Sequence, residues 1–190
     1  MQTIGSGLRF PEGPVACDDG SVLVVEMFGE RITRVNPDGS STVVAEVPGG
    51  PNGLAECADG TLLVCNNGGS FTPIDLGGLL LPGPFDPARH TGGRIERVDP
   101  KTGKITRLYD SCDGHPLRGP NDLVLDGQGG FYFTDHGIRH ERSGDRTSIY
   151  YAKLDGSSIK EVVFPVEAPN GIGLSPDGTK RSEEHTSELQ

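Results

Sequence analysis

The stretch GPNDLVLDGQGGFYFTDHG, residues 119–137, decides how this chain folds. It contains an apolar run at 123–125, an Asp-Gly pair at 126–127 and an aromatic, β-branched run at 131–134. Such runs on either side of an Asp-Gly pair predict two strands joined by a tight turn. The stretch is therefore predicted to be a β-hairpin with Asn121 at its entrance.

The same pattern occurs four times along the chain. Each copy begins with a proline-containing marker and continues into an Asp-Gly turn or its equivalent. The markers are PEGP (11–14), PNGL (51–54), PNDL (120–123) and PNGI (169–172). In the first copy, four strand-like segments follow within about forty residues, which is the length and pattern of a β-propeller blade. The predicted fold class is all-β: a propeller of four-stranded antiparallel blades, with about three blades and the start of a fourth.

Composition narrows the function further. The chain has 29 glycines and 15 prolines, which favours turns and short strands over helices. A formal net charge of −10 argues against nucleic acid or an anionic membrane as partner. We find no signal-peptide pattern and no apolar segment long enough to span a membrane, so a cytoplasmic location is expected. The four cysteines lack CxxC spacing, so we expect buried free thiols rather than zinc ligands or disulfides: Cys17, Cys57, Cys65 and Cys112.

Two segments depart from the repeat. An insertion at about 69–91 interrupts the second copy; it carries the leucine run 79–81 and the prolines Pro82, Pro84 and Pro87, and is predicted to be a lid or mouth loop. The alternative is a loop packed down for stability alone. Residues 1–180 are assigned to the partial propeller and 181–190 to a non-native or disordered tail, which resembles a translated sequencing adaptor. A genuine disordered or helical tail is the alternative.

The four markers begin corresponding strands, so in a ring their second residues converge at one end of the channel. These residues are Glu12, Asn52, Asn121 and Asn170. One carboxylate and several amide carbonyls form an all-oxygen set that suits a hard cation such as Ca²⁺, Mg²⁺ or Mn²⁺. Asn-Gly and Asn-Asp are also simply good turn formers, and an Asn beside Pro can cap a strand end. Spacing alone leaves both interpretations open.

Three motifs in order give a more specific indication: PEGPV (11–15), PND with FYFTD (120–122 and 131–135), and PNGIGLSPDG (169–178). Together they resemble the SMP-30/gluconolactonase (regucalcin-like) family of six-bladed propellers over nearly all of residues 8–180. The resemblance implies a metal-dependent hydrolase of sugar lactones or related esters. It also implies one divalent cation, with Ca²⁺ expected first and Mg²⁺, Mn²⁺ or Zn²⁺ as alternatives.

Position by position, the resemblance implies that Glu12, Asn121 and Asn170 are metal ligands, with a substrate contact as the alternative role of Asn121. The family's further ligand and general base, an aspartate from a later blade, has no counterpart here. We therefore expect no catalytic residue in this chain, a truncated and inactive protein, and an active full-length parent. The alternative is a non-catalytic propeller that binds a metal or another ligand.

Weaker candidates surround this set. Asn52 is expected either behind the ligands or in a turn role. Arg118 lies near a place where some relatives keep a substrate-binding arginine, although its register is displaced. His136 is expected to line the channel or to be structural, and Asp135 to tie down a loop by hydrogen bonds. The expected partner is a small lactone or ester, and the open propeller edges favour self-association.

Overall fold

The computed structural model describes residues 3–185, in which the regular secondary structure consists of β-strands. Three four-stranded antiparallel sheets form three blades. The first contains β1 (Pro11–Ala16), β2 (Val22–Glu26), β3 (Arg31–Val35) and β4 (Ser41–Glu46). The second contains β5 (Pro51–Glu56) and β6 (Leu62–Asn66), then, after the hairpin β7 (Pro73–Asp75) and β8 (Leu80–Pro82), the strands β9 (Arg94–Val98) and β10 (Ile105–Tyr109).

The third blade follows another short hairpin, β11 (Ser111–Cys112) and β12 (His115–Pro116). Its strands are β13 (Pro120–Leu125), β14 (Gly130–Asp135), β15 (Arg146–Lys153) and β16 (Ile159–Glu167). A two-stranded sheet, β17 (Pro169–Leu174) with β18 (Arg181–His185), comes last. The predicted fold class is confirmed: the chain is all-β and built from four-stranded propeller blades.

The turns form for the reason that the sequence predicted. At the turn between β5 and β6, the Asp59 Oδ1 atom accepts hydrogen bonds from the backbone N–H (3.0 Å) and the hydroxyl (2.6 Å) of Thr61. Gly60 between them has a φ of 78°, which glycine adopts without steric cost. The same Asp-to-Ser/Thr bonds close the turns at Asp19, Asp38 and Asp177.

The blades stack on one another around the inner strands. Strand β1 contacts β5, β5 contacts β13, and β13 contacts β17. One buried cluster lies between the first two blades and includes Val25, Leu54 and Val64. A second lies between the second and third blades and includes Cys65 and Phe133. Burial between the blades, rather than within one sheet, therefore holds the fold together.

Other sequence predictions have mixed outcomes. The four cysteines are free; Cys17 is half-buried and the other three are buried. Residues 181–185, which sequence patterning assigned to the tail, pair as β18 with β17. Strand pairing uses backbone groups, so a polar segment can occupy an open strand edge. The rest of that tail, 186–190, lies outside the described residues. Within residues 3–185, no helix is long and apolar enough to cross a membrane.

Candidate functional site

A repeated irregularity of strand pairing positions the marker residues. Four sheets begin with a marker. In each of them, the marker proline pairs with the last residue of the neighbouring strand. The pairs are Pro11–Glu26, Pro51–Asn66, Pro120–Asp135 and Pro169–His185. The register shifts within the next few residues of each inner strand. Such bulges re-aim side chains, which gives the second residue of each marker an equivalent setting.

The second residues of all four markers line one cavity of about 1150 Å³. They are Glu12, Asn52, Asn121 and Asn170. Asn52 and Asn121 are buried, whereas Glu12 and Asn170 are half-buried. The Nδ2 atom of Asn52 lies 3.9 Å from the Met27 sulfur. The structure thus brings together the residues that the sequence singled out, and their role as metal ligands stays a prediction.

The electrostatics of the cavity favour a bound cation. Burial raises the pKa of Glu12, and the negative charge of Asp122 raises it further. Burial also raises the pKa of Asp122, whose Oδ2 atom accepts a 3.1 Å hydrogen bond from the Ile172 N–H. A nearby cation would favour the ionised form of both carboxylates. A site with one carboxylate and amide oxygens also has the hard-oxygen chemistry of Ca²⁺ ligands, so these residues fit a divalent cation.

The marker residues, one glutamate and three asparagines, differ from a metal site built from several His, Cys, Asp or Glu side chains. In residues 3–185, no three His, Cys, Asp or Glu side chains lie close enough together to hold a metal ion. The candidate ligand set therefore depends on asparagine amides. Asp122 was not singled out from the sequence, because its side chain comes near Glu12 only when β13 and β1 are placed in the same stack.

A second set of polar residues was also missed, although Asp135 was expected to tie down a loop. Glu26, Asn66 and Asp135 each end the second strand of a blade, fifteen residues after the proline that begins its inner strand. Asn66 Oδ1 accepts from the N–H groups of Gly50 (2.9 Å) and Gly68 (3.0 Å). Its Nδ2 donates to the Pro48 carbonyl (3.0 Å) and to Glu96 (2.8 Å). These buried residues hold the segments that enter the inner strands, and the repeated spacing was the signal for them.

Arg118 does not line the cavity of the candidate site. Its Nε atom donates to Asp145 Oδ2 at 3.0 Å. The Arg118 contribution to that region is its backbone N–H, which donates to Asp135 Oδ2 at 2.7 Å. An ion pair with the neighbouring loop thus fixes the guanidinium that sequence patterning offered as a substrate contact.

His136 does line the cavity. Its ring lies edge-on to Phe71, with centroids 5.9 Å apart. Burial lowers the pKa of His136, while the Gly137 backbone opposes the shift and Arg139 reinforces it. Among the described residues, no group forms a hydrogen bond of good geometry with the buried Nδ1 atom. The imidazole is therefore neutral near pH 7.

The insertion borders the same cavity. Its hairpin, β7 and β8, contributes Ile74 and Pro82, and the segment that follows contributes Pro84 and Phe85. Phe85 packs edge-on against two histidines, His90 at 5.3 Å and His140 at 5.6 Å between ring centroids. The structure therefore places the insertion at the wall of the cavity, as expected of a mouth loop.

Comparisons with known proteins agree with this architecture. The family model described as "SMP-30/Gluconolactonase/LRE-like region" matches residues 10–181. A gluconolactonase from Zymomonas mobilis is 26% identical over 200 residues, covering 95% of this chain and 50% of that protein. The chain thus spans about half the length of this relative.

Two solved structures share the fold. One, described as a gluconolactonase from Xanthomonas campestris, is 23% identical, with a TM-score of 0.71 over 94% of this chain and 55% of its own. The other, the calcium-binding protein regucalcin from Agrobacterium tumefaciens, is 18% identical, with a TM-score of 0.64 over 94% of this chain and 51% of its own.

Proposed function

Since the chain belongs to the SMP-30/gluconolactonase/LRE-like family, we propose that it forms part of a divalent-metal-dependent hydrolase of lactones or related esters. The observation that carries the proposal is the meeting of the four marker residues in one cavity. Glu12, Asn121 and Asn170 are the proposed ligands; their hard oxygen donors suit a divalent cation, and the family resemblance makes Ca²⁺ the preferred one. Asn52 lines the same cavity and is proposed to lie next to the ligands.

Each residue has a distinct role in the proposed site. A bound cation would polarise the lactone carbonyl and so favour attack by water. Glu12 would supply the negative charge that holds the cation, and the amide oxygens of Asn121 and Asn170 would complete its coordination without adding charge. Asp122 increases the negative potential beside Glu12. The neutral imidazole of His136 accepts a hydrogen bond from water or from a substrate hydroxyl.

The chain alone is proposed to bind the cation weakly and to hydrolyse lactones slowly. The family resemblance implies one more aspartate, as ligand and general base, at a position with no counterpart in this chain. Affinity for Ca²⁺ depends on the number of charged ligands and on the rigidity of the site. With Glu12 as the only carboxylate among the marker residues, the site holds less negative charge than the complete set.

Calcium titration by isothermal calorimetry tests the cation site. Glu12→Gln keeps the size of the side chain and removes the charge, so we expect at least about tenfold weaker binding. The matched control is Glu56→Gln, because Glu56 is exposed at the other end of an inner strand and does not line the cavity. Equal losses in the two variants, or no loss in either, would contradict the proposed ligand.

A pH-stat assay of glucono-δ-lactone and of a simple aryl ester tests the reaction. Hydrolysis by this chain, or by a longer form that contains it, should fall on chelation with EDTA and return with Ca²⁺. Metal-independent hydrolysis would reject the mechanism.

The single carboxylate among the four marker residues favours one second possibility, a non-catalytic propeller that binds a cation or another ligand. Calcium binding that depends on Glu12, without hydrolysis in a longer form, would select it.

A further inference from the structure

We propose that the β7–β8 hairpin binds an apolar substituent of the substrate, so that the preferred lactone or ester carries an alkyl or aryl group. This inference rests on the proposed function, because it concerns the substrate class of the same site. It differs from a preference for sugar lactones, whose rings carry several hydroxyl groups.

The hairpin side of the cavity wall is apolar. The hairpin and the segment after it contribute the apolar side chains Ile74, Pro82, Pro84, Phe85 and Pro87. Their polar counterparts lie on other elements: the inner strands carry the marker residues, and the loop between β14 and β15 carries Arg139, His140 and Glu141. The reacting carbonyl and the substituent of a bound substrate would therefore meet chemically different surfaces.

Two backbone groups of this wall, the Gly83 N–H and the Pro84 carbonyl, are already paired within it. The Gly83 N–H donates to the Thr72 carbonyl at 2.7 Å. The Pro84 carbonyl accepts from the Thr72 N–H at 3.2 Å and from the Thr72 hydroxyl at 2.8 Å. The prolines of this wall have no N–H to offer. A sugar hydroxyl placed against the hairpin would lose water and gain no equivalent partner there, which weakens binding.

Close contacts hold the wall in place. An added Cβ at Gly83 would lie 2.7 Å from Ile74 Cγ1 and 2.8 Å from the Thr72 carbonyl, so the two sides of the hairpin are already in close contact. The Phe85 ring is held between the His90 and His140 rings. A fixed apolar wall gains affinity from each methylene that it covers, by about fourfold per fully buried methylene.

The test measures binding of lactams, whose amide ring resembles a lactone but resists hydrolysis. The probes are δ-valerolactam, its butyl and hexyl derivatives, and glucono-δ-lactam, each titrated into the chain with Ca²⁺ present. Affinity should rise along the alkyl series, and glucono-δ-lactam should bind more weakly than the hexyl derivative. Ile74→Ser should weaken hexyl-lactam binding about tenfold and leave δ-valerolactam unchanged.

Leu79→Ser is the matched control, since Leu79 lies on the same hairpin, is exposed and does not line the cavity. Equal hexyl-lactam affinity in the two variants, tighter binding of glucono-δ-lactam, or no binding of any lactam would overturn the inference. If lactam affinity rises with alkyl length but neither this chain nor a longer form hydrolyses lactones, only the catalytic proposal is rejected. A flat series accompanied by cation-dependent hydrolysis would reject only the apolar wall.

Discussion

Pro120 and Asp135 lie opposite each other across β13 and β14, and the Asp135 carboxylate holds the segment that leads into that proline. Its Oδ2 atom accepts from the Arg118 N–H at 2.7 Å, and its Oδ1 atom accepts from the Gly119 N–H at 2.7 Å. Oδ1 also accepts from the Gly137 N–H at 2.9 Å. A buried carboxylate outside the proposed ligand set therefore fixes where Asn121 enters the cavity.

Asp135→Asn should destabilise the fold. The amide turns one acceptor oxygen into a donor that faces backbone N–H groups, which leaves buried donors without partners and costs about 1–3 kcal/mol. The free energy of unfolding from urea titration measures the effect. Asp113→Asn is the control, because Asp113 is exposed and has a φ of 49° that asparagine tolerates. Similar stabilities for the two variants would contradict the anchoring role.

The ionisation of Glu26 should make the free energy of unfolding depend on pH in the acid range. Burial opposes its ionisation, but hydrogen bonds from Arg31, Thr33 and the Arg9 N–H outweigh burial and hold the pKa of Glu26 below its usual 4.5. Because the folded-state pKa is the lower one, the stabilisation is present above pH 4.5 and is lost as the pH falls through the folded value.

Glu26→Gln should therefore lower the free energy of unfolding near neutral pH by about 1–3 kcal/mol, and by less near pH 3. Urea titrations at both pH values measure the difference, with exposed Glu56→Gln as control. A deficit that is the same at both pH values would show that the charge of Glu26 is not what stabilises the fold.

Gly53→Ala should separate two inner strands. A Cβ at Gly53 would lie 2.6 Å from the Asn121 carbonyl oxygen and 2.8 Å from the Asp122 Cα, and backbone atoms cannot move away as a flexible side chain can. We expect a loss of about 1–3 kcal/mol in the free energy of unfolding, with weaker Ca²⁺ binding because Asn52 and Asn121 shift. At Gly144, an added Cβ meets no heavy atom within 4 Å, so Gly144→Ala should change neither quantity.

His136 should make stability depend on pH in a higher range. Burial lowers its pKa below the usual 6.5, so the unfolded chain takes up the proton more readily than the folded one. Its contribution to stability is complete above pH 6.5 and declines as the pH falls through the lower, folded-state pKa. His136→Phe keeps a ring against Phe71 and should reduce the loss of stability between about pH 7 and pH 5. Urea midpoints at the two pH values measure it, with exposed His115→Gln as control; an unchanged pH dependence in His136→Phe would contradict the prediction.

The sequence by itself determined the strands of the three blades, the turns between them and the repeat, whereas β18 was assigned to a tail. Asp59 and Gly60 form their turn from atoms only a few residues apart, and the same holds for the Asp19 and Asp177 turns. The four markers could be aligned because each begins an equivalent strand. Local turn chemistry and period-two patterning act over short distances along the chain, so they can be predicted from the sequence alone.

Only the tertiary structure decided which groups share the cavity. Asp122 raises the pKa of Glu12 from more than a hundred residues away, and Arg118 is held by Asp145 rather than directed at the site. The insertion became an apolar wall because β7 and β8 pair with each other beside the inner strands. These relationships depend on how the blades stack and on bulges in strand pairing, which are set by contacts between residues distant in sequence and leave no local pattern to read.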